Sequence, residues 1–170
     1  MKNRIIICGP SGSGKDYLKN LLCDNLGYID TVLHTTRPKR VGETDGKDYH
    51  FITSNEFLNL SIKEKIIATS AFNKWLYGIS VYEWEKSNVT VLSPESLREV
   101  LVELPTDTHI IYLNPPESIR IDRINNRLGN ADSVTRRVEA DRKDFKDFKD
   151  FTIEINDPQF TIEMIAKYIK

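Results

Sequence analysis

The plainest chemistry in the chain lies near the N-terminus. Gly9, Pro10, Ser11, Gly12, Ser13, Gly14 and Lys15 fit the spacing Gly-x-x-x-x-Gly-Lys, and Asp16 follows. Three glycines let a backbone curl tightly and bring its N–H groups close to phosphate oxygens with no Cβ in the way. A helix starting at such a loop adds the positive end of its dipole. The lysine can reach the β- and γ-phosphates. The pattern therefore predicts that Gly9–Asp16 holds the phosphates of a purine nucleoside triphosphate, ATP before others. One position departs from it. A Ser or Thr hydroxyl usually follows the lysine and binds Mg²⁺. Here Asp16 stands there, a carboxylate that could itself hold Mg²⁺ while adding negative charge beside the phosphates.

Such a loop needs a buried strand before it and a helix after it. Arg4–Cys8 (RIIIC) is a short Ile-rich run, as expected of a strand buried on both faces. Tyr17, Leu18, Leu21, Leu22 and Leu26 recur at helical spacing, and Gly27 marks a helix stop. Further strands are predicted at Thr31–Leu33, Tyr49–Ile52, Lys65–Phe72, Val89–Leu92, His109–Leu113 and Thr152–Ile155. A turn is predicted at Leu76–Gly78. Helices are predicted after Ser54 as N-cap, from Pro94, after Pro115 and Pro116, from a polar break at Gly129–Asp132 through about Phe148, and from Asp157–Pro158 to the end. Strands alternating with helices indicate an α/β fold with a central, mainly parallel sheet flanked by helices.

Composition sets the outer limits. The chain has 170 residues, 39% hydrophobic and 29% charged, with a formal net charge of -1. One domain over residues 1–170 is the natural expectation. The charge balance gives no general basic surface, so neither a nucleic-acid nor a membrane partner is expected. Cys8 and Cys23 read as buried free thiols in a reducing compartment, and the location expected is cytoplasmic. A homodimer is left open.

Beyond the loop, Thr35–Phe51 (TTRPKRVGETDGKDYHF) closely resembles the monophosphate-binding segment of guanylate kinases. Phe72 with Leu76-Tyr77-Gly78 resembles that family's next block. Leu113–Pro116 (LNPP) and the arginine-bearing helix after it resemble the entry to its lid. Ile155-Asn156-Asp157 resembles the segment flanking the adenine. The resemblance implies the fold of the P-loop nucleoside monophosphate kinases, with a monophosphate-binding region over about 33–90 and a lid over about 120–140. It also implies roles. Arg37, Arg40, Tyr49 and Tyr77 would grip the acceptor's phosphate, two arginines and two phenols converging on one dianion. Arg123, Arg127 and Arg137 would stabilise the transferring phosphoryl group with Lys15 and Arg37, and Arg120 and Arg136 compete for those lid roles. Asn156 would lie beside the donor base.

The positions that would read the acceptor's base depart from the family. A base-facing serine is replaced by Leu33, a base-pairing glutamate by Ala68, and a small hydroxyl by Ile79, so that Glu95 alone could supply a carboxylate. An apolar pocket discriminates bases weakly. The expected reaction is transfer of the ATP γ-phosphoryl group, with Mg²⁺, to a nucleoside monophosphate. GMP or dGMP leads. A pyrimidine or modified deoxynucleotide is a rival, as is ribose bisphosphate, because related ribose 1,5-bisphosphate phosphokinases and some phage deoxynucleotide kinases share the Gly-Lys-Asp ending. A non-catalytic, guanylate-kinase-like binding module is the rival from another class.

Overall fold

The computed structural model describes residues 3–63, 65–126 and 133–169. The elements run β1 (Ile5–Cys8), α1 (Lys15–Leu26), β2 (His34–Thr35), β3 (His50–Phe51), α2 (Ser54–Ile62), β4 (Ile66–Phe72), β5 (Trp75–Ser80), α3 (Val81–Lys86), β6 (Val89–Val91), α4 (Pro94–Val100), a 3-10 turn (Leu101–Glu103), β7 (His109–Leu113), α5 (Glu117–Asn125), α6 (Val134–Asp144), β8 (Ile153–Ile155) and α7 (Ile162–Tyr168).

Strand β1 organises the core because every one of its residues is buried. It pairs in parallel with β6 on one side and β7 on the other, and β7 pairs in parallel with β8. Side chains alternate across a strand, so β1 feeds two layers at once. Ile5 and Ile7 pack with Leu18 and Leu22 of α1 and with Ile165 of α7. Ile6 and Cys8 pack with Leu97 and Val100 of α4 and with Phe148. Fully burying one such isoleucine contributes about 1.5–3 kcal/mol. The Ile-rich run therefore fixes the strand from which the glycine loop springs.

A second four-stranded sheet, ordered β3-β2-β5-β4, stands beside the first. Only β2 and β3 pair in parallel; the other pairings are antiparallel. This sheet goes beyond the single mainly parallel sheet read from the sequence. It carries the segment between residues 34 and 80.

Several elements differ from expectation. Leu76–Gly78 is not a turn but the middle of β5. Gly78 is there for closeness, since a Cβ on it would lie 2.8 Å from Ile66 Cγ1. The chain reverses instead at Asn73 and Lys74, with φ of 50° and 69°. Two consecutive positive φ values suit the twist of a two-residue hairpin. Strand β2 begins at His34, not Thr31. Thr53, not Ser54, caps α2, with a reciprocal capping box to Glu56. Helix α6 ends at Asp144 rather than Phe148. The closing helix begins at Ile162, because Asp157 accepts the Gln159 N–H in a turn and Thr161 takes the cap.

Candidate functional site

The loop behaves as its glycines predict. Gly12 and Gly14 have φ of 76° and 101°, which favour glycine. A Cβ on Gly9 would lie 2.6 Å from the Leu113 carbonyl oxygen, and one on Gly12 would lie 2.5 Å from that of Arg120. Gly14 stands at the N-cap of α1 and has no side chain with which to cap the first turn. Ser13 Oγ is buried with no hydrogen-bond partner among the described residues. A tightly curled glycine loop packed against the Leu113 and Arg120 carbonyls and leading into a helix N-terminus fits a phosphate chain. Lys15 Nζ donates to the Gly9 and Pro10 carbonyls at 2.6 and 3.0 Å, which keeps the ammonium over the loop.

Two helices that bracket residues 127–132 grip the loop's outer face. From α5, Arg120 Nη1 donates to Ser11 O at 3.3 Å, and Arg123 Nη1 donates to Gly12 O at 3.2 Å. From α6, Asp141 accepts the Ser11 N–H at 2.9 Å and the Ser11 hydroxyl at 3.2 Å. Arg120 is buried, unlike an ordinary solubilising helix arginine. Arg137 is half-buried on α6, and the Arg136 guanidinium lies 5.0 Å from the centre of the Phe72 ring. Arg127 lies outside the described residues.

Beside the loop opens a cavity of about 530 Å³ lined by Gly14, Tyr17, Arg123, Pro158, Gln159, Phe160 and Thr161. Tyr17 and Phe160 stand with ring centroids 5.7 Å apart at its wall. Arg123 Nη2 donates to Pro158 O at 2.7 Å across it. Its size and flat walls suit a purine. Asn156 does not line it. That side chain sits behind Phe160 and, with its amide turned to donate, reaches Asn114 O at 2.9 Å and Glu154 Oε1 at 3.2 Å. The aromatic pair is the part sequence reasoning missed; Tyr17 counted only as one more apolar position of α1.

Across from the loop, the second sheet presents a cluster of charged and phenolic side chains. Arg37 is 5% exposed and forks onto Glu43, with contacts of 2.7 and 3.0 Å. Glu43 Oε2 also accepts the Arg40 N–H at 2.7 Å. Burial opposes the Arg37 charge, but the Glu43 carboxylate outweighs it and raises the guanidinium's pKa further. Tyr49 lies edge-on to Tyr77, centroids 6.0 Å apart, and its ring is 5.3 Å from the Arg37 guanidinium. Burial, with the neighbouring Tyr77 and Asp16, pushes the Tyr49 phenol up to about 12, so it stays a neutral donor. Glu43 was the missed member here, readable only as one acidic residue in a polar segment.

One cavity of about 220 Å³ lies between the loop and this cluster, lined by Lys15, Ser11 and Asp141 from the loop side and by Tyr49, Tyr77, Leu33 and Ser70 from the other; Arg37 and Arg40 do not line it. Ala68 and Ile79 do not line it. They are buried in the core with Leu97 and Val100, and Ala68 takes a φ of 51° at a bulge in β4. Glu95 lines a separate groove of about 370 Å³ with Phe57 and Thr69. Of the four positions expected to meet the base, only Leu33 reaches the cavity. Asp16 is exposed on the first turn of α1. Among the described residues no group of three or more His, Cys, Asp or Glu could hold a metal ion. Magnesium needs less, one or two carboxylates completed by phosphate oxygens and water. Burial raises the Cys8 thiol to about 12, so it does no nucleophilic work. No described helix is long and apolar enough to cross a membrane.

A glycine-rich loop with its lysine, facing a pair of phenols across one cavity, fits the class that the comparisons show, an ATP-dependent nucleoside monophosphate kinase. A family model described as guanylate kinase matches residues 1–170. A guanylate kinase of Schizosaccharomyces pombe is 36% identical over 149 residues, 81% of this chain and 73% of the relative. One from Onion yellows phytoplasma is 31% identical over 170 residues, 90% of this chain and 77% of the relative. The crystal structure of guanylate kinase from Anaplasma phagocytophilum superposes with a TM-score of 0.73 at 22% identity, covering 99% of this chain and 84% of that one, a likeness of fold. The chain belongs to the guanylate kinase family.

Proposed function

We propose that the Gly9–Asp16 loop holds the triphosphate of ATP and that Arg37, Arg40, Tyr49 and Tyr77 clamp the acceptor's monophosphate, GMP or dGMP being the leading acceptor. The observation that carries this reading is the shared cavity, with Lys15 on one wall and the two phenols on the other. The donor base belongs in the cavity walled by Tyr17 and Phe160, on one face of that aromatic pair. The monophosphate region is the second sheet and its flanks, about 33–90, and the lid about 120–140, within one unit over 1–170.

Each residue then has a job. The first-turn N–H groups and Lys15 bind and orient the donor phosphates. Arg37, kept in place by Glu43, gives a forked, fully charged partner to the acceptor phosphate. Arg123 and Arg137, with Arg127, offset charge on the transferring group. No protein nucleophile is needed, since an acceptor phosphate oxygen attacks in line. Asp16 is the side chain placed to contact Mg²⁺ at the first turn. The ion, when bound, would spread the charge of the phosphate oxygens.

A second reading concerns the base alone. Leu33 replaces a base-facing serine and lines the cavity with Val91, Leu92, Ser70, Ser93 and Ser96. Glu95 lies in another groove, so the guanine-pairing glutamate has no replacement in the cavity, which favours a base such as that of a pyrimidine deoxynucleotide. One measurement decides: ADP formation with ATP and each common ribo- and deoxynucleoside monophosphate. The leading reading expects the highest kcat/KM with GMP or dGMP. A maximum with a pyrimidine nucleotide replaces it with the second. No turnover with any acceptor by a folded protein overturns both.

A further inference from the structure

Asp141 is an acidic group in a place built for acids of another kind. Its carboxylate takes the Ser11 N–H at 2.9 Å and the Ser11 hydroxyl at 3.2 Å, at the outer turn of the phosphate loop. Its side chain is 13% exposed and lies 3.5 Å from Arg120 Nη1, which also holds the Ser11 carbonyl. The positive charge of Lys15 acts on the same carboxylate. Asp141 thus uses the two kinds of partner that a phosphate oxygen uses on such a loop, a backbone N–H and a lysine. The rest of α6 is held elsewhere. Arg142 forks onto Glu117 at 2.6 and 3.1 Å, and Phe145 stacks on Tyr112 with centroids 5.5 Å apart. The Asp141 contact can therefore be exchanged while the helix keeps its other two holds.

We propose that Asp141 is an internal competitor for the phosphate loop, a carboxylate that phosphate oxygens must displace from Ser11, so that α6, the helix carrying Arg137, responds to what occupies the loop. This rests on the reading of Gly9–Asp16 as a triphosphate site. A fixed carboxylate beside several phosphate charges is repulsive, and the loop's N–H cannot serve both anions at full strength. Loop occupancy and the position of an arginine-bearing helix are thereby coupled through one residue.

Asp141→Asn keeps the size and one acceptor oxygen for Ser11 while removing the charge. The probes are the β,γ-imido analogue of ATP and inorganic tripolyphosphate, their binding followed by calorimetry. Both are expected to bind Asp141→Asn more tightly than wild type, on the order of ten-fold. Adenosine, which has no phosphate, is expected to bind both proteins equally. Equal or weaker binding of the two probes by the variant overturns the competition; wild-type-like binding by Asp141→Asn with weaker binding by Asp141→Ala identifies a scaffold role instead. If neither probe binds wild type or variant, the triphosphate reading itself fails and takes the proposal with it. A measurement on the wild-type protein needs no variant to fold. Tripolyphosphate is expected to speed amide hydrogen exchange around residue 141, and unchanged or slowed exchange there overturns the proposal.

Discussion

The glycine loop and the arginine–tyrosine face opposite it, the two sides proposed to hold phosphates, are built from different materials. The loop side is shaped by backbone. Gly12 and Gly14 supply positive φ, Gly9 presses on the Leu113 carbonyl, and the strand beneath is buried throughout. Its arginines, Arg120 and Arg123, hold loop carbonyls rather than carboxylates alone. The opposite side is shaped by side chains. Strands β2 and β3 are two residues long, and the site's order comes from the Arg37–Glu43 fork and the rings around it. A backbone-built site tolerates few substitutions but depends little on any one charge partner. A side-chain-built site can be retuned one residue at a time. The departures from the family pattern are side-chain ones on both sides: the glycines and Lys15 are kept, while Asp16 and the positions expected to read the base have changed.

Four substitutions probe this contrast, in order of expected effect. Lys15→Ala removes the only loop side chain that carries positive charge, and ADP formation is expected to fall roughly 10³-fold. Full retained activity would remove the loop from the mechanism. Gly12→Ala tests the backbone directly, because its Cβ meets the Arg120 carbonyl and its φ is strained, at about 1–3 kcal/mol. The donor KM should rise and the melting temperature fall, with the acceptor KM unmoved. Arg37→Lys keeps the charge and loses the fork, so the acceptor KM is expected to rise roughly ten-fold or more, with little change for the donor. A parallel rise in both constants would mean that the two sites are not separately organised.

The smallest effect concerns the support of the side-chain site. Glu83 of α3 holds His50 of β3 and Lys86, each at 2.8 Å. Burial opposes its charge, but those hydrogen bonds win and lower its pKa from the usual 4.5. Its contribution to stability is therefore complete above that value and is lost as the pH falls through the lowered one. Glu83→Gln should flatten the acid limb of a melting-temperature profile below about pH 4.5 and leave the neutral plateau slightly lower. An unchanged acid limb would separate α3 from the stability of the second sheet.

How much of this was legible in the sequence follows the same division. Strand β1, its loop and α1 were readable because local signals agree there: an Ile run, fixed glycine spacing, helical period and a stop at Gly27 whose φ is 62°. The second sheet was readable only in part: β3 and β4 lie in the runs predicted as strands at Tyr49–Ile52 and Lys65–Phe72, while β2 and β5 do not. Two-residue strands carry no period, and Gly78 reads as a turn signal when its role is to admit Ile66. Helix α3 went unseen for the same reason, being six residues long. The phosphate-gripping side chains were placed by resemblance rather than by spacing. The base-facing ones were misplaced because Ala68 and Ile79 answer to the core formed with α4, a contact between segments distant in sequence. Asp141 gave no signal at all, since one acidic residue on a charged helix looks like solubility.

The register of the parallel sheet has one more consequence. Strand β1 leaves the ribosome first, yet its partners are Val89–Val91 and His109–Leu113, and β8 beyond them is Ile153–Ile155. The bed of the phosphate loop is therefore assembled backwards in time, with β1 waiting for strands made long after it. During synthesis the second sheet, closed within residues 34–80, can form while the loop has nothing to rest on. A nascent chain can close its second sheet before the bed of the glycine loop, and a ligand of that loop can stabilise the fold only once β7 and β8 have been made.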